Sequence, residues 1–427
     1  MPLLSSESPA ESPANGPPGN HQAGQRWVAV GHSTQRDPAA AVEEALAAVL
    51  DKGAPKLVLL FASPSHPLEM LAARINERIG SALLIGCSTA GELAPGHSGI
   101  GGLVLWALGG EGISVATGWG DADGSGLRHA ASQAAGCLRE VQRRRHTVLV
   151  LLADGLGGDQ MEVVRGAYDV AGVDVPLVGG CAGDDMAMRG TVQIHGPQVL
   201  RQAVVAAAIS SDAPLGIGVS HCWEPMGAPM LVTGSRGNRV TTLDDRPALD
   251  VYLDAFKAPA EVRRGGEAFA RFATTRPLGL RRRGRIEIRF VSGADLASRS
   301  LLTIAEMPQG GLAYLMQGDA GSVLAATEEA CRGACDGLGG APPQGLLLFD
   351  CVARRAVLQE GAAALASADG SAAGAFEESQ AEDGEMARIQ ALLGPCPYGG
   401  FHTYGEIARS RGAGGFHNQT LVALAVA

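Results

Sequence analysis

The sequence lacks any apolar run long enough to cross a lipid bilayer. Its longest apolar stretches, such as residues 57–62 and 203–209, are far shorter than the roughly 20 residues that a spanning helix needs. The N-terminus also lacks a basic segment followed by a hydrophobic one, which is the pattern of a secretory signal. We therefore expect a cytoplasmic protein with no membrane partner.

Positive charge is also scarce. The chain has 34 Lys and Arg residues against 44 Asp and Glu residues, which gives a net charge of −10 and an isoelectric point near 5.5. Nucleic acids and anionic membrane surfaces attract a dense field of Lys and Arg. The charge balance therefore disfavours nucleic acid as a partner and is typical of a freely soluble protein.

Several short signatures are missing as well. The eight cysteines are dispersed and lie mostly in apolar sequence, which favours reduced thiols over a disulfide framework. No Gly-Lys-Ser/Thr follows a glycine-rich segment, so we expect no nucleotide phosphate site. Cys331 and Cys335 have helical spacing, but no second pair of ligands follows to complete a zinc site.

What the chain does contain is 427 residues of apolar-rich sequence, with 46% hydrophobic and 18% charged residues. This composition predicts a well-buried globular protein, and the length predicts two or more domains. Residues 1–26, rich in Pro, Ser and Gly, are predicted to be a disordered leader. A composition shift near Trp223 predicts domains over residues 27–225 and 226–427, and the Ala- and Gly-rich residues 361–375 predict a flexible insertion in the second.

Apolar runs of strand type alternate with helical repeats in the first half. The first series is strand, helix, strand, helix and strand, at residues 27–30, 37–50, 57–62, 67–79 and 82–85. Strand, helix and strand return in the same order at residues 147–153, 159–171 and 175–178, which indicates a duplication. We predict a fold of the α/β and α+β classes: a two-domain mixed-sheet protein with helices packed on the sheets and an internally duplicated N-terminal half.

Three short segments combine glycines with an acidic residue. They are Ile85-Gly-Cys-Ser-Thr-Ala-Gly-Glu92, Val178-Gly-Gly-Cys-Ala-Gly-Asp-Asp185 and Gly400-Phe-His-Thr-Tyr-Gly-Glu406. The first two follow predicted strands, where open α/β sheets place their ligands. Glycines let the backbone approach a ligand closely, and exposed N–H groups can hold a carboxylate. We therefore predict that the three segments meet and line one recess for a small acid.

The alternative is that these glycines only make tight turns in a crowded core, and that the acids cap backbone amides. The predicted ligand-binding residues, which include one from a further C-terminal motif, are Gly86, Cys87, Ser88, Thr89, Gly91, Glu92, Gly179, Gly180, Cys181, Gly183, Asp184, Tyr404, Gly405, Glu406 and Asn418.

Together and in this order, the three segments and four others resemble the FIST family, whose paired N- and C-terminal domains are regarded as an intracellular sensory module. The other four are Val219-Ser-His-Cys-Trp223, Pro247-Ala-Leu-Asp-Val-Tyr252, Phe349-Asp-Cys351 and His417-Asn-Gln-Thr420. The resemblance implies a FIST N-like domain over residues 27–225 and a FIST C-like domain over 226–427. The chain departs from it at the leader, at the insertion near 361, and at Cys222, where a glycine is expected.

The resemblance implies that the protein binds a small ligand, amino-acid-like in general. Some stand-alone members resemble haem-binding nitric oxide sensors that act on a partner histidine kinase. Because no kinase, receiver or output sequence is evident, we expect a signal to pass to a histidine kinase or another separate signalling protein. Any haem would be noncovalent haem b, since the sequence has no Cys-x-x-Cys-His attachment site.

His221 is the predicted axial ligand of such a haem. Strand alternation puts it on the same face as Ile217 and Val219, beside Trp223, and an apolar wall with one imidazole suits haem. His402 and His417, near the C-terminal motifs, are alternatives. The other reading of His221 is a hydrogen-bonded histidine at a strand end that binds nothing.

Three classes of function stay open. The first is a ligand-binding sensor, either with haem or for an amino acid or another small metabolite. The second is an interaction scaffold without a ligand. The third is a thiol enzyme with Cys87 or Cys181 as nucleophile, which needs a lowered thiol pKa, whereas a buried cysteine is usually inert. We do not expect an enzyme.

Overall fold

The structure is a computed structural model that describes residues 25–282, 285–369, 375–409 and 415–427. The predicted leader lies outside the described residues up to position 24. The first strand begins at Trp27, as the apolar pattern predicts. The mixed-sheet class, α/β and α+β, is confirmed.

The first structural unit, repeat 1, runs from residue 27 to 109. Its elements are β1 (Trp27–Ser33), α1 (Pro38–Leu50), β2 (Pro55–Ala62), α2 (Leu68–Arg78), β3 (Leu83–Ser88), β4 (Glu92–Ala94), β5 (His97–Gly99) and β6 (Leu103–Gly109). Helix α1 begins where predicted, because Asp37 accepts a hydrogen bond from the amide of Ala40 and Pro38 stands in the first turn.

Repeat 2 runs from residue 113 to 211 and has the same element order. Its elements are β7 (Ile113–Asp121), α3 (Gly126–Ala134) with a 3₁₀ turn (Ala135–Arg139), β8 (His146–Ala153), α4 (Met161–Ala171), β9 (Leu177–Cys181), β10 (Gln193–His195), β11 (Gln198–Leu200) and β12 (Ala203–Ser211).

Strand β13 (Leu215–His221) begins a third unit. The chain then forms a separate sheet before this unit continues. The inserted region contains β14 (Glu224–Arg236), β15 (Arg239–Leu243), β16 (Arg246–Pro247), α5 (Ala248–Ala255), α6 (Ala260–Arg263), α7 (Gly266–Thr274), β17 (Leu278–Arg282), β18 (Arg285–Arg289), β19 (Val291–Asp295), β20 (Ser300–Thr303) and β21 (Leu312–Gln317). Its strands form an antiparallel sheet in the order β18-β17-β21-β14-β15-β20-β19, with β16 paired to β15.

Repeat 3 then resumes and completes the pattern. Its remaining elements are α8 (Ala320–Asp336), β22 (Gly345–Cys351), α9 (Val352–Asp369), α10 (Ala375–Leu393), β23 (Tyr398–Thr403), β24 (Glu406–Arg409), β25 (Phe416–His417) and β26 (Thr420–Val426). The N-terminal half is therefore duplicated, as predicted, but the molecule as a whole is built from three copies of one unit.

The three copies have the same sheet topology. The strand orders are β1-β6-β2-β3, β7-β12-β8-β9 and β13-β26-β22-β23, with the last two strands of each parallel. The short hairpin that follows β3, β9 or β23 in the sequence pairs with the sheet of another repeat. Hairpin β4–β5 extends the third sheet, β10–β11 extends the first, and β24–β25 extends the second. The exchange is cyclic and locks the three units together.

The core lies where the three sheets face one another. Each repeat contributes its inner face to one hydrophobic cluster, in which Phe61 and Phe349 both contact Phe401, with ring centroids 4.6 and 5.9 Å apart. The outer faces pack on the helices of their own repeats. The ends of the parallel strands consequently come together at the centre of the molecule.

The predicted domain bounds and the predicted insertion both stay predictions. The predicted boundary at residue 225 marks the start of the inserted sheet, but β13 and the C-terminal strands belong to one repeat, because β13 pairs with β26. In the predicted insertion, residues 361–369 have a helical backbone in α9, and residues 370–374 lie outside the described part of the chain. Whether this segment is flexible stays a prediction.

Candidate functional site

The structure brings the three glycine-containing segments together at the centre. The amide of Gly183 donates to the carbonyl of Ser88 at 3.0 Å, and the amide of His402 donates to the carbonyl of Gly91 at 2.8 Å. The amide of Tyr404 donates to the carbonyl of Cys181 at 3.1 Å. Each segment is thus hydrogen-bonded to the other two, and we call their meeting place the seam.

Within the seam, several residues predicted to be in loops lie in strands. Gly86 to Ser88 are in β3 and Gly179 to Cys181 are in β9. Gly86, Gly179 and Gly400 occupy equivalent positions, and a Cβ on each would stand only 1.8 to 2.2 Å from a leucine carbonyl oxygen of the neighbouring parallel strand. Close strand packing alone therefore requires glycine at these three positions, and ligand binding by Gly86 and Gly179 stays a prediction.

The acids of the seam are buried caps of backbone amides. Glu92 accepts from the amide of Gly102 at 2.9 Å, and Glu406 accepts from the amide of Thr420 at 3.0 Å. Repeat 2 has Gln193 at this position, which accepts from the amide of Ala203 at 3.2 Å. Burial raises the pKa of Glu92 to about 8 and that of Glu406 to about 7. These side chains serve the fold.

Asp184 and Tyr404 hold a loop of repeat 2 against the seam. The Tyr404 hydroxyl donates to Oδ1 of Asp184 at 2.5 Å, and the amides of Arg189 and Gly190 donate to Oδ2 at 2.6 and 3.0 Å. Burial opposes ionisation, but the bond from Tyr404 and those from the amides hold the pKa of Asp184 below its usual value.

The two thiols of the seam are not activated. Cys87 and Cys181 are fully buried, and burial raises the pKa of both well above the usual value. The Cys181 thiol donates to Oε1 of Gln160 at 3.4 Å. A nucleophilic cysteine needs the opposite environment, so the geometry gives no support to a thiol enzyme.

The surroundings of His221 do not fit haem. Nδ1 of His221 accepts a hydrogen bond from the amide of Trp223 at 3.4 Å, and Val219, on the same face, is 39% exposed to solvent. The indole of Trp223 is buried and donates to the carbonyl of Gln419 at 3.2 Å. The predicted apolar wall is therefore exposed to solvent at Val219, and the buried indole of Trp223 occupies part of the space beside it. Haem ligation by His221 stays a prediction.

The alternative histidines are engaged within the protein. Nε2 of His402 lies 3.3 Å from the hydroxyl of Ser98, and Nε2 of His417 lies 3.0 Å from the carbonyl of Ala408. Burial lowers the pKa of both imidazoles. The nearby Asn418 is buried, and its amide nitrogen has no hydrogen-bond partner within the described part of the chain. Among the described residues, no group of three or more His, Cys, Asp or Glu is placed to hold a metal ion.

An open cleft lies beside the seam, in repeat 2, where sequence reasoning did not place a site. It has a volume of about 280 Å³ and lies between the C-terminal end of β8 and the N-terminus of α3. The residues that line it are Ala122, Asp123, Gly124, Gly126, Leu127, Asp154, Leu156, Gly157 and Gln202. The available signal was an acid directly after a buried strand, in Leu151-Leu-Ala-Asp154.

Asp154 is the central residue of this cleft, which we call the Asp154 cleft. Its side chain is 6% exposed, and Oδ1 accepts from the amide of Leu156 at 3.0 Å and from the hydroxyl of Thr191 at 2.5 Å. The equivalent residues of the other repeats are Ser63 and Cys351, since each lies three residues after the leucine that pairs with the seam glycine. Only repeat 2 has a carboxylate there.

The helix at the cleft also differs from its counterparts. Helix α1 is capped by Asp37, which accepts from the amide of Ala40 at 2.8 Å, and α8 by Asp319, which accepts from the amide of Ser322 at 2.7 Å. Among the residues that the structure describes, no side chain caps α3, whose first turn lines the cleft. An uncapped helix N-terminus attracts an anionic group, so the cleft offers a site for each sign of charge.

A second cleft, of about 480 Å³, lies on the inserted region. Its lining residues are Glu261, Val262, Glu267, Ala268, Arg271, Phe272, Arg276 and Glu360. Its arginines are paired with its acids: Arg271 forms an ion pair with Glu267, and Arg276 lies 3.8 Å from Glu360. Arg276 also stacks on the ring of Phe272. We therefore regard the Asp154 cleft as the stronger candidate.

Two family models match the chain. The FIST N domain matches residues 56–246, and the FIST C domain matches residues 248–378. No curated protein is significantly similar to the chain. No helix among the described residues is both long enough and apolar enough to cross a membrane. The two matches together span most of the sequence, and the chain belongs to the FIST family, whose domains sense small ligands in signalling proteins.

Proposed function

We propose that this protein senses an amino acid or a similar small zwitterion, which binds in the Asp154 cleft. The carboxylates of Asp154 and Asp123 would hold the ammonium group. The N-terminal amides of α3 would hold the carboxylate of the ligand. The pairing of an acid with an uncapped helix, in one of three repeats that share a sheet topology, carries the proposal.

The size of the cleft favours a small metabolite. Pockets for larger organic ligands have volumes of roughly 300 to 1,000 Å³. At about 280 Å³ the cleft is at the lower limit of that range, which suits an amino acid better than a macrocycle. We infer that the protein works inside the cell and passes its signal to a separate protein, such as a histidine kinase.

Calorimetry with a panel of L-amino acids tests the proposal. Asp154→Asn keeps an oxygen acceptor for Thr191 and Leu156 but removes the charge, so the ligand should bind about 10- to 100-fold more weakly. Asp174→Asn, at an exposed acid outside the cleft, should leave binding unchanged. Equal affinity in Asp154→Asn, or no binding of any panel member, would overturn the proposal; the second result favours an interaction scaffold.

Haem titration separates the remaining alternative. If His221 were an axial ligand, added haem would give a Soret band that shifts with nitric oxide and disappears in His221→Ala. An unchanged spectrum of free haem removes that alternative. The titration is independent of the amino-acid panel, so each hypothesis has its own result.

A further inference from the structure

The three repeats differ in how the chain leaves the seam. Residues 89–91 connect β3 to β4, and residues 404–405 connect β23 to β24. In repeat 2, residues 182–192 make the same crossing from β9 to β10, and we call them the crossover loop. The two shorter connections show that the fold does not need this length, so the additional residues require another explanation.

The crossover loop contacts all three repeats. The hydroxyl of Ser63, in repeat 1, donates to Oδ2 of Asp185 at 2.6 Å. The hydroxyl of Tyr404, in repeat 3, donates to Asp184 of the loop. The hydroxyl of Thr191, at the end of the loop, donates to Asp154, at 2.5 Å. The residue proposed to bind the ligand thus also anchors the loop.

The middle of the loop is strained and exposed. Asp185, Met186 and Met188 have φ values of 52°, 64° and 53°, in the left-handed region that side chains other than glycine rarely adopt. Met186 is 51% exposed and Met188 is 60% exposed. The strained conformation is held by the amides of residues 188, 189 and 190, which donate to Asp184. A conformation maintained by a few polar contacts can be displaced when one of them is lost.

We propose that the crossover loop is the ligand-responsive element of the Asp154 cleft. The ammonium group of a ligand competes with the Thr191 hydroxyl for the carboxylate of Asp154, and the loop is released from that end. Release changes how Met186 and Met188 are presented at the surface, where flexible thioether side chains suit an apolar patch on a protein partner. This inference rests on the proposed ligand site.

Hydrogen exchange of the amides of Met186, Met188, Arg189 and Gly190 tests the inference. Without ligand, Thr191→Val should raise their exchange rates about fivefold, the effect of losing one hydrogen bond. Thr147→Val is the matched control, because Thr147 is at the opposite end of β8 and bonds Ser210 at 2.8 Å. It should leave the four rates unchanged, and amides of β2 and β8 should stay protected in both variants.

The exchange of the same amides is then measured with the L-amino acids of the calorimetry panel. The wild-type rates should rise on binding, and those of Thr191→Val should rise no further. Binding detected by calorimetry without a change in the loop overturns this inference and leaves the ligand site intact. Absence of binding removes the ligand site and the inference that rests on it. Unchanged loop exchange in Thr191→Val shows that Asp154 does not anchor the loop, which also overturns the inference.

Discussion

Repeats 1 and 2 share one topology but differ in a few side chains and in one connection. Both have a parallel pair of strands, a seam glycine packed against a leucine carbonyl, and a buried polar side chain that caps the last strand. They differ at three points: the residue after the second strand, the cap of the first helix, and the length of the crossing. The shared features build the molecule, and the differing ones converge on a single cleft. We therefore expect the ligand site at the positions where the two repeats differ.

The largest expected effect comes from breaking a feature that the repeats share. Gly179→Ala puts a Cβ 1.9 Å from the carbonyl oxygen of Leu151, at a φ of 153°. Neither backbone can move without disturbing the sheet, so we expect a loss of about 4 kcal/mol in the free energy of unfolding. Urea unfolding followed by circular dichroism measures it.

Gly136→Ala is the control for this substitution. A Cβ on Gly136 meets no atom within 4 Å, and its φ is not in the left-handed region. It should change the free energy of unfolding by less than about 1 kcal/mol. If Gly179→Ala were equally mild, the seam glycines would not be structural, and a role in ligand binding would again have to be considered.

The strand and helix alternation of the first two repeats could be read from the sequence. Buried strands such as β2 and β8 give continuous apolar runs, and α1 carries its start signal in Asp37 and Pro38. These features depend on local chemistry, which the sequence contains directly. The meeting of the three glycine segments was predicted as well, from the strands that two of them follow. The physical reason is different, because β3, β9 and β23 lie in three different sheets and the exchanged hairpins bring their ends together.

The third repeat could not be recognised in the same way. Strand β13 is separated from its partner β26 by the inserted sheet, so the repeat has no continuous sequence. Strands β23 and β24 were missed because their glycines and polar side chains resemble loops, although both are buried by neighbouring repeats. The Asp154 cleft was missed because its distinguishing feature, an uncapped α3, only becomes visible beside α1 and α8.

Repeats 1 and 2 differ in the buried side chain that caps the last strand, which is Glu92 in repeat 1 and Gln193 in repeat 2. In the folded protein, burial raises the pKa of Glu92 to about 8, whereas the pKa of the same side chain in the unfolded chain is near 4.5. Unfolding therefore releases a proton between these values, and stability falls as pH rises. Glu92→Gln, which copies Gln193 of repeat 2, should remove about 1.4 kcal/mol per pH unit from that dependence.

Urea unfolding at several pH values between 5 and 8 measures this slope. The exposed Glu69→Gln is the control and should leave the slope as it is in the wild type. The amide can replace the carboxyl, because Gln193 accepts from a backbone amide and donates to the hydroxyl of Thr191 at 3.3 Å. A slope that persists in Glu92→Gln would assign the pH dependence to other groups, such as Glu406.

The smallest expected effect sharpens the contrast between helices α1 and α3. Asp37→Ala removes the cap of α1 and should cost about 1 kcal/mol of stability. Ser125→Ala, at the corresponding position of α3, removes a hydroxyl that donates to the carbonyl of Asp121 and does not cap the helix, so the loss should be clearly smaller. Melting temperatures of both variants measure the difference. Equal losses would mean that Ser125 caps α3 in solution, and its hydroxyl would then compete with a ligand for the amides of the first turn.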